Sequence, residues 1–563
     1  MSKLLTRWGR ALDRSNPLPD YPRPQFVRTE WLNLNGIWDY AIYKRDEPFV
    51  DYQGEIVVPF SPESQLSGVR KTLMPDETLH YRREFTLEEG FLKHTTLLHF
   101  GAVDHKCRVW LNGREAGAHV GGFTPFTINI SAYIREGTNE IKLEVTDPTD
   151  TSHISRGKQS GKPGGIWYSA QSGIWQTVWL ESLPERHLGS VRMETDIDQA
   201  MLKITPSDDC TAIFQEQRFA LRAGETAKIP VEDMRLWSPE DPHLYDISFE
   251  CGEDFVKSYF GMRKFSLEKD AAGTSRLMLN NAPCFHNGLL DQGYWPDGLL
   301  TAPSDEALLY DIQTCKALGF NMLRKHIKIE PLRWYYHCDR EGMLVWQDMV
   351  NGGSRYNFGV IGILPFLGVQ LDDGPENYKR FGRENAKGRA QYYEELGCMI
   401  DHLANSVSIA MWVPFNEGWG QFDANKAVDF IRERDTSRTI DHASGWHDQG
   451  GGDCVSPHIY FTKLKAPSPQ KWKDRAFVLS EFGGYSHAVE GHVWNPGKVF
   501  GYRKFKTLEA LQAAYARLFA KQVQPLIDKG LSAAVYTQVS DVEDEVNGVM
   551  TYDREIIKVE RLR

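Results

Sequence analysis

Ser408-Ile409-Ala410-Met411-Trp412-Val413-Pro414-Phe415-Asn416-Glu417 is an apolar, β-favouring run that ends in an acid, and Ala476-Phe477-Val478-Leu479-Ser480-Glu481 repeats the arrangement. Runs of this kind read as buried strands. A carboxylate at the end of a buried strand needs partners or a shifted pKa. If both strands belong to one parallel barrel, both acids emerge on the face where such barrels carry out chemistry. Two carboxylates facing one another across a pocket are the minimal equipment for cleaving a glycosidic bond. Taken alone, either glutamate also has a blander reading, as a solvated residue of a βα loop.

Outward from these two runs, the chain after Leu277 alternates β-type segments with helix-length amphipathic ones. Eight candidate strands fall at 284–289, 320–326, 343–348, 408–415, 438–442, 455–460, 476–481 and 532–538. Helical stretches lie between them at 305–318, 331–341, 389–404, 423–434 and 506–528. In 389–404, Tyr393, Leu396, Met399, Ile400 and Leu403 recur at helical spacing, as on a helix laid against a sheet. Eight such units predict a C-terminal (β/α)8 TIM barrel over 271–563. Glu417 then follows strand four and Glu481 strand seven, on nearly opposite walls of one central pocket.

Before the barrel the texture is different. Residues 1–27 are rich in Pro and Arg and read as an extended lead-in. From Trp31 to about Leu183, short alternating runs are punctuated by Gly, Asn, Asp and Pro, and Asn112-Gly113 is a two-residue hairpin signal. This predicts an N-terminal β-sandwich over 1–183, followed by a smaller immunoglobulin-like sandwich over 184–270. At 563 residues the chain is too long for one core. Its net charge of −11 gives no basic footprint for nucleic acid or an anionic membrane. The eight cysteines are scattered, with no CxxC pair, which favours a reducing, cytoplasmic setting and argues against a zinc ribbon. No apolar leader segment follows Met1, and no stretch of eighteen apolar residues occurs.

The two acidic signatures, Trp412-Val413-Pro414-Phe415-Asn416-Glu417 and Ser480-Glu481-Phe482-Gly483, resemble those of glycoside hydrolase family 2, which comprises β-galactosidases, β-glucuronidases and β-mannosidases. The resemblance extends along the chain through Leu34-Asn35-Gly36-Ile37-Trp38, Val58-Pro59-Phe60, Ser172-Gly173-Ile174-Trp175-Gln176, Gly319-Phe320-Asn321-Met322-Leu323-Arg324-Lys325-His326 and Cys338-Asp339. It implies that the first sandwich is a jelly-roll of sugar-binding type. It also implies that Glu417 is the general acid/base, Glu481 the nucleophile of a retaining exo-β-glycosidase, and Asn416 the partner of the sugar 2-hydroxyl. Tyr460 matches the active-site tyrosine of strand six, and is otherwise a core tyrosine with a satisfied hydroxyl. His326 closes strand two where the family contacts substrate, although the Arg-x-His spacing departs from the commoner Arg-x-x-His. His458, Trp419 and Trp446 complete the candidate sugar-binding set, together with Tyr536 and Gln538 at the end of strand eight.

Two departures narrow the sugar. The family's uronate-gripping Asn-x-Lys is replaced by Glu545-Val546-Asn547, and loss of that cation removes a charge-assisted bond. Asn351-Gly352-Gly353-Ser354 stands where large β-galactosidases carry a magnesium pair, so no metal and no cofactor is expected. A β-galactoside is the leading expectation, with a β-glucuronide or another family 2 substrate as the alternative. A non-catalytic carbohydrate-binding protein is the competing class. The partner is a carbohydrate, with self-association possible. The insertion 349–388 is expected to wall the pocket or reach a neighbouring subunit. Arg156-Gly157-Lys158-Gln159-Ser160-Gly161-Lys162-Pro163-Gly164-Gly165 reads as a flexible turn.

Overall fold

The computed structural model describes residues 4–468, 472 and 474–561, so residues 1–3 of the lead-in lie outside it. Eight parallel strands form the C-terminal body: β1 His286–Asp291, β2 Met322–Lys325, β3 Leu344–Asp348, β4 Ile409–Val413, β5 Thr439–Ile440, β6 Cys454–Val455, β7 Ala476–Gly483 and β8 Leu531–Thr537. Their order is β5-β4-β3-β2-β1-β8-β7-β6. The ladder does not run between β5 and β6. Single parallel bridges, Asn416 with Ser444 and Gly445 with Pro457, link the chain beyond β4, β5 and β6 at the top of the barrel instead. The fifth and sixth strands are thus shorter than the sequence predicts, with two paired residues each, and His458–Ile459 pairs separately with β7.

Alternation along the strands sorts the barrel into two layers. Leu290, Met322, Leu344, Met411, Val478 and Val535 share one cluster with Leu277 and Leu279 of the short sheet formed by Phe265–Lys269, Ser275–Leu279 and Ala282–Pro283. Their neighbours Leu289, Leu323, Val345, Trp412, Leu479 and Tyr536 join the surrounding helices. Those helices are α1 Asp305–Ala317, α2 Leu332–Glu341, α3 Ala386–Leu403, α4 Ala424–Arg432 and α5 Leu508–Leu518. Ser304, Asn385 and Thr507 cap the first, third and fifth of them by accepting backbone N–H bonds, which explains where they start. The long predicted helix over 506–528 is interrupted by a π-turn at Phe519–Val523.

The N-terminal sandwich packs a four-stranded against a six-stranded antiparallel sheet around Trp38, Tyr81, Leu98, Phe100, Val109, Leu143 and Leu180. Asn112-Gly113 joins Lys106–Leu111 to Arg114–Val120 with both turn residues at positive φ, +50° and +79°, as the dipeptide signalled. The middle sandwich holds three- and four-stranded sheets around Leu202, Ile204, Phe249 and Val256. The lead-in is pinned to the barrel: Thr6 donates from its N–H and hydroxyl to Asp297, and Trp8 is buried. Among the described residues no helix is long and apolar enough to cross a membrane.

Asp339, at the end of α2, couples the middle sandwich to the strand that delivers Glu417. It is fully buried; one oxygen accepts from the Tyr259 hydroxyl at 2.9 Å and the other from the Ser408 N–H at 2.7 Å. Its carbonyl accepts from the Trp237 indole. Replacing Asp339 with Ala leaves two buried donors unpaired, and we expect a loss of about 2–3 kcal/mol in denaturant-unfolding stability.

Candidate active site

Local backbone aims both acids. In β7 three steps separate Leu479 from Phe482, while two separate their β8 partners Ala534 and Tyr536, so β7 carries one extra residue beside Glu481. Leu479 and Phe482 both face the helices. The bulge therefore breaks the alternation where Glu481 is re-aimed towards the pocket. Glu417 sits at φ +49°, a left-handed conformation uncommon for a side-chain-bearing residue, and is held there by its N–H bond to the Ser444 carbonyl at 2.9 Å.

The two carboxylates and His458 present oxygen and nitrogen atoms that all lie within 4.8 Å of one another. His458 Nδ1 bonds Glu417 Oε1 at 2.8 Å, and its Nε2 lies 3.2 Å from the Ser444 hydroxyl and 3.7 Å from Glu481 Oε1. The His458 side chain has no exposed surface and both its ring nitrogens are engaged, so it bridges the acids rather than offering a free face to a sugar. The Tyr460 hydroxyl donates to Glu481 Oε2. Its ring stacks on Tyr502 at 3.9 Å and 3°.

Arg324, with no exposed surface, spends all five of its N–H donors at the top of the barrel. Nε and one terminal nitrogen take both oxygens of Asp348 at 2.9 and 3.1 Å. The other terminal nitrogen reaches the Ser480 carbonyl at 3.1 Å and Glu481 Oε1 at 3.3 Å, and the fifth bond runs to Asn416 Oδ1 at 2.7 Å. Because Arg324 can only donate, it settles the orientation of the Asn416 amide: the oxygen faces Arg324. The amide nitrogen is buried with no partner, aimed as an unused donor. His326 Nδ1 bonds Asp348 at 2.8 Å, and burial holds its ring well below the ordinary histidine range, hence neutral.

The two glutamates are displaced in opposite directions. Burial raises Glu417 above the ordinary glutamate value, assisted by the charge of Glu481 and opposed by its bond to His458. Burial would raise Glu481 too, but the fields of His458 and Arg324 and the Tyr460 bond outweigh it and hold Glu481 low. Among the described residues the same three side chains, Glu417, His458 and Glu481, are spaced to take a metal ion; a cation there would occupy both carboxylates.

Of the residues predicted from sequence, Glu417, Glu481, Asn416, His326, Tyr460, His458 and Trp419 meet at this pocket, Trp419 lying 6.1 Å ring to ring from His326. Trp446 stands at the mouth, packed on Phe366 of the insertion. Gln538 is fully buried and one shell back: it accepts from Gln292 and donates to Asn547, which donates to Glu545, and Glu545 accepts from the Tyr168 hydroxyl. Tyr536 is a correction. It points outward among Phe482, Tyr515 and Phe519, its oxygen accepting from the Tyr485 N–H, because its neighbour Val535 takes the inward position. The loop from Arg156 is a second correction: Arg156, Gly157, Lys158 and Gln159 are buried, with Gln159 bonded to Asp104. Sequence reasoning missed Asp348, although it ends β3 as Glu481 ends its own run. Tyr502 had no periodic signal to reveal it.

Residues 278–558 match the TIM barrel domain of glycosyl hydrolases family 2, residues 68–184 its sugar binding domain, and residues 187–263 a further domain of the same family. The chain belongs to glycoside hydrolase family 2. It is 25% identical over 459 residues to a putative beta-glucuronidase of Formosa agariphila, covering 74% of this chain and 51% of that protein. It is 24% identical over 546 residues to the beta-galactosidase of Lactococcus lactis, covering 86% and 50%. The family 2 chain thus spans about half the length of these curated relatives. Its fold is shared with the beta-D-glucuronidase of Dictyoglomus thermophilum, at a TM-score of 0.73 and 17% identity over 95% of this chain and 96% of that one. The Ruminococcus gnavus beta-glucuronidase gives 0.73 and 16%, over 96% and 97%.

Arg324→Met would leave Asp348 and Glu481 buried without their counter-charge. We expect a loss of about 3–5 kcal/mol, read as a lower midpoint in chemical unfolding.

Proposed function

We propose that the chain is a retaining exo-β-glycosidase, with Glu481 as nucleophile and Glu417 as acid and then base. The observation that carries this reading is the opposite displacement of two buried carboxylates that each bring one oxygen within 4.8 Å of the other. Retaining glycosidases hold the pair about 5–5.5 Å apart, with no room for a water between the second carboxylate and the anomeric carbon, whereas inverting ones need about 6.5–9.5 Å. The low carboxyl suits a nucleophile, which must be ionised to attack the anomeric carbon. The high one suits an acid, which must keep its proton until the leaving oxygen takes it. Once the glycosyl-enzyme forms, Glu417 is ionised and draws a proton from the attacking water, and the sugar is released with Glu481 restored. Asn416, with its unused amide donor, is placed to bond the 2-hydroxyl as positive charge develops at the ring.

A terminal β-linked sugar suits the buried polar side chains that converge here, Asn416, Glu417, Glu481 and His326. The mouth is apolar, with Phe366, Phe461 and Leu367 at 59%, 66% and 71% exposed, so the leaving group meets aromatic and aliphatic surface. β-Galactosides are our first candidates, on the strength of the β-galactosidases among the relatives; β-glucuronides are the alternative. Glu545-Val546-Asn547 brings no cation to the strand-eight subsite, which disfavours a sugar carboxylate there.

A panel of nitrophenyl β-glycosides tests the proposal. Glu481→Gln and Glu417→Gln should each lower kcat by about 10³-fold or more on the best substrate while circular dichroism stays that of the wild type. Near wild-type turnover by Glu481→Gln would refute the scheme. The pH profile of kcat/KM should be bell-shaped. Activity should fall as pH drops through the lowered pKa of Glu481, below the ordinary value of 4.5, and again as pH rises through the raised pKa of Glu417.

A further inference from the structure

Lys158 is a buried ammonium without a protein partner. The residue is 5% exposed, yet among the described residues its Nζ makes no hydrogen bond or ion pair. The other deeply buried lysines of this chain behave differently. Lys325 holds Asp291 and Glu330, Lys328 holds Glu330, and Lys558 holds Asp541. What surrounds the Lys158 ammonium is the catalytic pocket: the Tyr168 ring at 5.3 Å, the Trp419 ring at 5.6 Å, and Glu417 and His326, on both of which its charge acts.

The loop that carries it is built to hold it there. The N–H groups of Arg156 and Gly157 both bond the Asn351 carbonyl, at 2.9 and 3.0 Å, and the Lys158 carbonyl accepts from Tyr168 at 3.0 Å. Arg156 also donates to the Gly353 carbonyl. Gly157, at φ +63°, passes so close to the end of β2 that a Cβ would lie 3.1 Å from the Ile327 carbonyl. This segment of the sandwich is thereby wedged between the residues following β2 and those following β3, with Lys158 at its tip.

Two rings at more than 5 Å repay only part of the cost of stripping water from an ammonium. The remaining partner must come from whatever fills the pocket. We propose that Lys158 contacts the substrate directly, donating a charge-assisted hydrogen bond to an oxygen of the terminal sugar, so that the N-terminal sandwich supplies one wall of the sugar site and helps choose the sugar. Both a hydroxyl and a carboxylate offer the required acceptor. This inference rests on the glycosidase reading above.

The test compares Lys158→Met and Lys158→Arg with the wild-type chain on neutral and uronic nitrophenyl β-glycosides. Cleavage of at least one glycoside by the wild type is the condition set by the glycosidase reading, and its failure would refute that reading separately. Given cleavage, Lys158→Met should raise KM and lower kcat/KM by at least about tenfold on the best substrate, with an unchanged or higher melting temperature. A loss confined to uronic substrates, partly restored by Lys158→Arg, identifies a carboxylate as the acceptor; a loss on neutral glycosides identifies a hydroxyl. A kcat/KM within threefold of wild type on every substrate would overturn the proposal. So would a change carried only by kcat and a displaced basic limb, because Lys158 would then act on Glu417 and not on the sugar.

Discussion

Arg324 is the constraint on which the catalytic end of the barrel depends. A guanidinium has five donors in a rigid fork, and here all five are spent within one residue's reach. They gather the ends of β2, β3, β4 and β7, through Asp348, Asn416, Ser480 and Glu481. A barrel needs no such clasp to close, since its ladders do that. The clasp fixes where the side chains at its rim stand relative to one another, and under the proposed mechanism that spacing decides whether the enzyme works.

The same cation helps to make two identical side chains unlike. Glu417 and Glu481 are both buried, and burial alone would push both upward. Arg324 is bonded to Glu481 and not to Glu417. Tyr460 likewise donates to Glu481, while His458 is shared between the two. The asymmetry is one of partners, not of residue type. One carboxyl is displaced upward and the other downward, which is the division that the proposed double displacement would require.

The site is not confined to the barrel. Tyr168 of the first sandwich bonds Glu545 of the loop after β8, and Trp167 lies 5.2 Å from Trp419. Tyr356 of the insertion packs on Trp167, and His447 anchors the insertion by bonding the Val360 carbonyl and accepting from the Leu371 N–H. The insertion is thereby packed against Trp167, Trp446 and His447 beside the two acids. Lys158 belongs to the same convergence: a wedge of β-sandwich loop completes a pocket whose chemistry resides in another domain.

Much was legible in the sequence because the signals were local and periodic. Alternation of 2 and 3.6 residues separates the sandwiches from the barrel, the Asn112-Gly113 turn states its own geometry, and both acids stand at the ends of apolar runs. The strand-eight reading failed for Tyr536 because composition does not say which side of a strand faces inward. The loop at Lys158 was misread for a different reason. Glycine and lysine favour exposed turns, and only tertiary contacts to Asn351, Gly353 and Tyr168 overrule that preference. The amino-acid sequence by itself determined the family and the barrel and pointed to the two acids, since each signal is local along the chain. Their separation, the opposite displacement of their pKa values and the lysine beside them were decided only by the tertiary structure. A carboxyl's pKa and reach are set by the partners that folding brings from distant strands, by a one-residue bulge in β7, and by a left-handed backbone at Glu417.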